Sequence, residues 1–467
     1  MIGVIAKGFF AAAPARNDRL RVAIALLLAI VFTFAAIAPL RSYDFFWHLA
    51  AGRWISEHRA LPLHDPFAVA SDRTPWIDGE WLFQIALYAI GGFGAVSILR
   101  AIFVGLTFTI AFFFTARDSD LGSAALLTAL AFAGGYARLD LRPSTIAAGL
   151  LVVAILSARF KKDLAFIIVA ILWINVHPSA VLVPLVALAL RPILTIPSAL
   201  ALLVNPYGWR AIAAPIQLTA FVRSGAFVNA EWLPSPPSLF PLLYICVLLG
   251  VLFFAVQRKE TPRFILFALL AYLAIAHVRN QGLFFAAFPL LCLPVVKVPR
   301  VATSIAAGVL VLYALATSPH HDGIEPHRFP IASVARLKQT EFAGNIYNPD
   351  QFGGFLIWSF YPERRTLTDG RNELYHAYIA EYARARTDSR AWHALLRKYR
   401  IDLAVDEDRG TINMIDAITK QQRQVPASLA YWPPSEWAVI AKDDVSTAYA
   451  RRAAFPREEI ARWELQR

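Results

Sequence analysis

SYDFFWHLAAGRWISEHRALPLHDPFAVASDRTPWIDGEWL, residues 42–82, is a polar island between two apolar runs. Asp44 and His48 are four apart, so on a helix they share a face. Phe45, Trp47, Leu49 and Trp54 give that helix apolar surface for lying along a membrane. Leu61-Pro62 and Asp65-Pro66 signal turns. Asp78 and Glu80 come just before Trp81, where the chain turns apolar again. Carboxylates at a lipid–water boundary can take a proton from a hydroxyl or hold a divalent cation against a phosphate. The same residues also read as caps and belt aromatics of a solvated loop, and His48 as a packed histidine on an aromatic helix.

The flanks of the island explain its setting. Hydrophobic residues make up 57% of the 467 positions and charged residues 17%, an excess and a deficit against about 45–50% and 25% in soluble domains. Val22 to Leu40 carries no charge, follows Lys7, Arg16, Arg19 and Arg21, and is long enough to span a bilayer core of about 30 Å. It reads as an uncleaved first helix with the N-terminus inside. The net charge of +12 then belongs to cytoplasmic loops: Lys161-Lys162, Gln257 to Arg263 and Lys297 to Arg300. Placing these inside threads further crossings at Gly94–Thr115, Ala124–Tyr136, Pro143–Ala158, Leu164–Val176, Pro178–Leu190, Ile193–Val204, Pro241–Val256, Phe264–Ala276, Phe284–Val296 and Val301–Thr317. Leu164 to Leu190 reads equally as one bent helix across Pro178. Glu80 to Ile90 is expected on the outer surface, and Arg100 is expected to snorkel toward it. The expected fold is an all-α polytopic membrane domain of about 11 transmembrane helices over residues 1–317. A small α/β soluble domain over 318–467 follows on the outer side. The polar residues that interrupt the apolar runs then emerge outside, where intramembrane charges usually mark function.

Asp44, Trp47, His48 and Gly52 form an Asp-x-x-Trp-His-x-x-x-Gly pattern, followed by Asp65-Pro66-Phe67 and Glu80-Trp81-Leu82. Together with the order of a basic N-terminus, one helix, and a long external loop 41–81 carrying an early Asp, this resembles the GT-C superfamily of membrane glycosyltransferases. More closely it resembles a bacterial branch of it. The resemblance covers most of the chain. It implies a sugar donor linked to polyprenyl phosphate and a lipid, glycan or protein acceptor at the periplasmic side of the inner membrane. It implies Asp44 as catalytic acid or metal-associated residue, with Asp140 resembling the second active-site acid of the aminoarabinose transferase type. Phe45 follows Asp44 where protein mannosyltransferases carry an adjacent Asp-Glu pair. A divalent ion, Mg or Mn, held by Asp44 and His48 is the associated cofactor expectation.

Other constellations fill in the expected site. Arg138, Asp140 and Arg142 precede Pro143, and Arg is the planar phosphate binder; the alternative is an Asp–Arg helix cap. His177 beside Pro178, the turn Asn205-Pro206-Tyr207-Gly208, Glu231 in a Pro-rich loop, and His277, Arg279 and Asn280 at a helix end are candidate substrate contacts. Each also reads as an interfacial turn or cap. Catalysis is expected from Asp44, Asp78, Glu80 and Asp140. In the soluble domain Asn345–Tyr347 and Arg365–Thr368 read as strands, Gln351–Phe360 and Ala391–Lys398 as helices, and Trp437–Ala441 with Ser446–Arg451 as a hairpin. Thr368-Asp369-Gly370-Arg371 reads as a turn next to a strand end or, functionally, as an acceptor-binding segment, with no catalytic part. Cys246 and Cys292 lie in apolar runs, so no disulfide or zinc framework is indicated. No phosphate loop, dinucleotide fingerprint, zinc-protease or hydrolase motif is present, and no nucleic-acid module. The rival reading is a non-catalytic envelope-glycan or lipid transporter or scaffold on the same fold.

Overall fold

The computed structural model describes residues 16–72, 74–225, 229–257, 260–292, 300–317, 323–415 and 422–465. Lys7 and Lys297, residues 293–296 of one expected crossing, and residues 318–322 at the expected domain boundary lie outside them.

The apolar runs become helices. The first is α1 (Arg16–Ala35), followed by α2 (Phe45–His58), α3 (Trp81–Ile90) and α4 (Phe93–Asp118). Then come α5 (Leu121–Gly135), α6 (Pro143–Arg159), α7 (Asp163–Ile174), α8 (Val183–Leu190), α9 (Thr195–Ala201) and α10 (Trp209–Arg223). Next are α11 (Pro241–Val256), α12 (Thr261–Ala276), α13 (Gln281–Leu291) and α14 (Arg300–Thr317). Small residues set how closely they approach. A Cβ on Gly105 would meet Thr33, and one on Gly134 would meet the Phe285 ring. Phe32, Phe108, Phe132, Trp173, Phe284 and Phe288 fill the core between them. Leu26, Leu27 and Ile30 on α1, Leu248 and Leu252 on α11, and Ile305 and Val309 on α14 point outward, an apolar surface suited to lipid rather than water. Among the described residues α4 alone is long and apolar enough to cross a membrane on its own; other apolar helices run 10–17 residues. Further crossings rest on the loop charges.

Leu164 to Leu190 is two elements, not one bent helix. Pro178 holds His177 extended (φ −159°, ψ 138°), so α7 stops and the chain restarts in a 3₁₀ turn over Pro178–Leu182. Helix α10 was not expected, because Pro215 interrupts it and only Ala211 is fully buried. Arg100 does not snorkel. Its guanidinium is buried and donates to Ala36 O (2.7 Å) and Ala38 O (2.9 Å), satisfying carbonyls beyond the end of α1.

The C-terminal part adds α15 (Ile331–Leu337), α16 (Asp350–Phe360), α17 (His376–Ala385), α18 (Ser389–Lys398), α19 (Ala427–Tyr431) and α20 (Arg457–Trp463). Its strands are β1 (Asn345–Tyr347), β2 (Ile401–Glu407), β3 (Thr411–Ile415), β4 (Gln422–Pro426), β5 (Trp437–Lys442) and β6 (Ser446–Arg451). The main sheet runs β1-β2-β6-β5, with β1 parallel to β2 and the rest antiparallel; β3 and β4 form a separate ribbon. Asp388 caps α18, accepting from the Arg390 and Ala391 amides. The expected strand 365–368 pairs only briefly with β1, through Leu367 N–H to Ile346 O (2.8 Å). On its far side Val69 N–H donates to Thr366 O (2.9 Å) and Ala70 N–H to Leu367 O (3.1 Å). The 41–81 loop thus extends the C-terminal sheet.

Helix α2 is correspondingly not a surface helix. Phe45 and Phe46 are buried with Phe329, Phe355 and Leu403, and Trp47 with Tyr347, Ile357 and Leu367. Gly354 brings α16 against Tyr43 O and the Trp47 amide, while Gly52 lets α2 touch the Gln84 carbonyl of α3. The helix that begins at Asp44 is therefore held from both sides.

Candidate active site

Asp44 stands at the N-terminus of α2 without capping it, so its carboxylate is free to face outward. Its Oδ1 accepts from Trp47 Nε1–H at 3.3 Å, and its Oδ2 lies 3.5 Å from Arg142. Pro143 at the first turn of α6 leaves Arg142 extended (φ −144°, ψ 157°), and the side chain reaches across. Its Nε–H donates to Ser42 Oγ (2.8 Å) and its Nη1 pairs with Glu231. One guanidinium therefore joins Asp44 to Glu231. Asp140, expected beside them, is held by its neighbours: Oδ1 accepts from Leu141 N–H (2.8 Å) and lies 3.4 Å from Arg100.

Glu80 sits between two histidines, with His48 Nε2 and His177 Nε2 each 3.8 Å from one of its oxygens. Gly79, whose added Cβ would lie 3.4 Å from the Pro178 ring, brings this turn onto the break after α7. His177 Nδ1 accepts the Ser179 amide (3.1 Å), which leaves the proton of the neutral ring on Nε2, facing Glu80. Asp78 is buried; its Oδ1 accepts from Glu80 N–H (3.2 Å) and Gln84 Nε2–H (2.9 Å). Asp78 Oδ2, His48 Nδ1 and the Tyr207 hydroxyl are buried without hydrogen-bond partners among the described residues.

The other expected residues divide into two groups. Asn205 donates to Ile174 O and Asn175 Oδ1 and accepts the Tyr207 amide, His277 Nδ1 faces Trp232 O (2.7 Å), and Asn280 donates to Leu273 O. These contacts shape turns. Arg138 and Arg279 differ: among the described residues neither has a carboxylate within ion-pair distance. Arg279 lies 4.6 Å over the Trp232 ring, and the Nε of Arg138 lacks a partner. Beside Glu80, Trp81, Ile171, Asn175, Leu203, Val204, Asn205 and Pro206 line a largely apolar groove of about 420 Å³.

The turn read as non-catalytic comes closest to Asp44. A Cβ on Gly370 would lie 2.7 Å from Asp44 Oδ1, so only glycine fits there without displacement. Arg371 beside it is buried between Asp369 and Asp65 (3.0 Å), 4.4 Å over Trp76, and Tyr375 donates to Asp369 (2.8 Å). The pairing could not be found by spacing, because Asp65 and Arg371 are some 300 positions apart. The Gly inside Asp-Gly-Arg was the available signal.

Electrostatics sort the acids. Burial raises Asp78 to about 7 and Glu80 well above the usual carboxylate value. Burial raises Asp44 too, against the pull of Arg142. Glu231 is lowered, because Arg142, Arg279 and Arg138 together outweigh its burial. Both histidines are pushed down by burial, His177 to about 3, and stay neutral.

A divalent ion on Asp44 and His48 does not fit these residues. His48 Nε2 faces Glu80, Asp44 faces Arg142, and among the described residues no three His, Cys, Asp or Glu side chains converge as metal ligands.

A solved structure of the archaeal oligosaccharyltransferase AglB from Archaeoglobus fulgidus, in complex with an inhibitory peptide and a dolichol-phosphate, matches 88% of this chain and 74% of its own, with a TM-score of 0.57 at 12% identity. This is the GT-C fold. A second Archaeoglobus fulgidus oligosaccharyltransferase structure, in complex with zinc and sulfate, matches 87% of this chain and 73% of its own, with a TM-score of 0.51 at 11% identity. No protein-family model and no curated protein sequence matches the chain. At this identity the likeness concerns the fold.

Proposed function

We propose that this chain is a membrane glycosyltransferase that moves a sugar from a polyprenyl-phosphate carrier to an acceptor hydroxyl at the outer face of a bacterial inner membrane. Its N-terminus would be cytoplasmic and its C-terminal domain periplasmic. The observation that carries the reading is the cleft in which the half-buried Asp44 is joined through Arg142 to Glu231, and in which Arg138 and Arg279, with no carboxylate within ion-pair distance among the described residues, act on Glu231. Asp44, raised by burial above an ordinary aspartate, suits a general base better than a fully solvated carboxylate would. It would take the acceptor proton as the acceptor oxygen bonds to the anomeric carbon and the bond to the carrier phosphate breaks. Arg138 and Arg279 would receive the charge that develops on that phosphate, the kind of preorganised stabilisation that usually dominates such catalysis. Asp140 would orient through Arg100 rather than react. Glu80, set between two neutral histidines with its proton favoured by burial, would donate a hydrogen bond. The buried unpartnered atoms of His48, Asp78 and Tyr207 would bond sugar hydroxyls, and the groove beside Trp81 would seat the isoprenoid chain. The peptide and dolichol-phosphate bound to AglB are the same two classes of ligand, a polar acceptor and a lipid phosphate.

The test is label transfer. Membranes holding wild type or Asp44→Asn at equal protein level receive a mixed pool of radiolabelled polyprenyl-phosphate sugars. Label leaving the lipid with wild type alone supports transfer and identifies the sugar. Retention of all label on the carrier, with binding of the carrier intact, would instead favour the transporter or scaffold.

A further inference from the structure

The failure of a metal to fit at Asp44 has a positive counterpart. The position between Asp44 and Glu231 already holds a permanent cation. Arg142 reaches both acids and is anchored a third time at Ser42, so its guanidinium is fixed in orientation as well as place. The oxygens a metal would need are engaged elsewhere. Asp44 Oδ1 accepts from Trp47, the Glu231 Oε1 is paired with Arg142, and Asp140 Oδ1 accepts the Leu141 amide beside Arg100. Divalent ions bind several oxygens at about 2.0–2.6 Å, and among the described residues no such set is turned to one point. A second cation placed between the two acids would meet the first, with a repulsion that falls off only slowly over a few ångströms in a partly dehydrated cleft.

We infer that the Arg142 guanidinium stands in the place of a divalent metal ion, compensating Asp44 and Glu231, and that the site meets its anionic substrate with fixed guanidinium groups alone. The second half rests on the glycosyl-transfer reading; the first does not. The division of labour among the arginines follows from their partners. Arg142 is committed to acids and organises them. Arg138 and Arg279 have no carboxylate within ion-pair distance among the described residues and, on the transfer reading, would meet the ligand. Unlike a metal, Arg142 cannot dissociate, and it stays charged at every accessible pH.

The experiment is Mn²⁺ binding followed by electron paramagnetic resonance, on the full chain in phosphatidylcholine nanodiscs, which add no anionic lipid. The proteins are wild type, Asp44→Asn, Arg142→Lys, Arg142→Ala, and Arg142→Ala with Asp44→Asn. Wild type and Arg142→Lys are expected to show no bound Mn²⁺. Arg142→Ala leaves Asp44 and Glu231 uncompensated and is expected to bind Mn²⁺ at least about tenfold more tightly. Adding Asp44→Asn is expected to remove that binding. If wild type binds one Mn²⁺ that Asp44→Asn abolishes, the inference is overturned. Should Arg142→Ala fail to fold, the comparison of wild type with Asp44→Asn still decides. A separate arm uses sugar transfer: activity unchanged by EDTA is expected, and loss restored by Mn²⁺ overturns the inference. Absence of all transfer with a Mn²⁺-free wild type would sink the enzymatic reading and leave the role of Arg142 standing.

Discussion

Asp78→Asn should stabilise the protein by an amount that grows as the pH rises above about 4 and is complete above about 7. Asp78 is 2% exposed, and burial raises it from 3.8 to about 7 against the opposing pull of the Glu80 amide, Arg371 and Gln84. Below about pH 4 the carboxyl is protonated in both folded and unfolded chains and carries no penalty. As pH rises from about 4 to 7 the unfolded chain ionises while the folded one keeps its proton, so stability falls. Above about 7 the loss is complete. The gap corresponds to about 4 kcal/mol at about 1.36 kcal/mol per pH unit. Asparagine mimics the protonated form: its Oδ1 still accepts from the Glu80 amide and Gln84 Nε2. With an unfolding entropy of about 2.1 cal/mol/K per residue, a 467-residue chain loses about 1 kcal/mol per degree, so the difference is about 4 °C in Tm. Tryptophan fluorescence during thermal unfolding, across the range from about pH 4 to 9, measures it. The two proteins should melt together at the acid end and separate as the pH approaches neutrality. Parallel curves at all pH values would refute the claim that Asp78 is held protonated by burial.

Trp47→Phe removes the hydrogen bond to the ionised Asp44, so the Asp44 pKa should rise further. In a transfer assay the acidic limb of the pH–rate profile should move to higher pH while the plateau holds; a move the other way contradicts the general-base assignment. Gly370→Ala places a methyl 2.7 Å from Asp44 Oδ1. Because it pushes a side chain rather than backbone, Tm should change little, while transfer falls by up to about 100-fold. Arg371→Met strands the buried Asp65 and Asp369, and loss of one partner of a buried pair costs about 3–5 kcal/mol. Melting should drop by about 3–5 °C on the same entropy scale.

The helical layer was legible because its signal is local: apolar runs broken by Pro and charge. The spacing of Asp44 and His48 reads as a shared helical face, but in the structure Asp44 meets Trp47, three positions on, while His48 turns to Glu80. What escaped was set by partners far along the chain. Arg142 reads as a phosphate ligand until Glu231 and Asp44 are seen around it. The aromatic face of α2 has the pattern of an interfacial helix, and only the arrival of α16 turns it into core. Strand β2 hid because it is buried on both sides, which erases alternation, while its own Asp402, Asp406 and Glu407 mimic a loop. Asp369 to Arg371 looked like any turn, because nothing local marks what a glycine lies against.

The edge contact between Val69 and Thr366 also has a consequence for the making of the protein. A ribosome adding about 5–20 residues per second reaches Thr366 roughly 15–60 seconds after Val69. Throughout that interval the first loop waits at the membrane surface with its sheet partner unmade, Asp65 without Arg371, and Asp44 without the turn that walls it. The cleft is therefore completed late in synthesis, and a nascent chain with all its helices inserted has no finished site to act on the lipid around it.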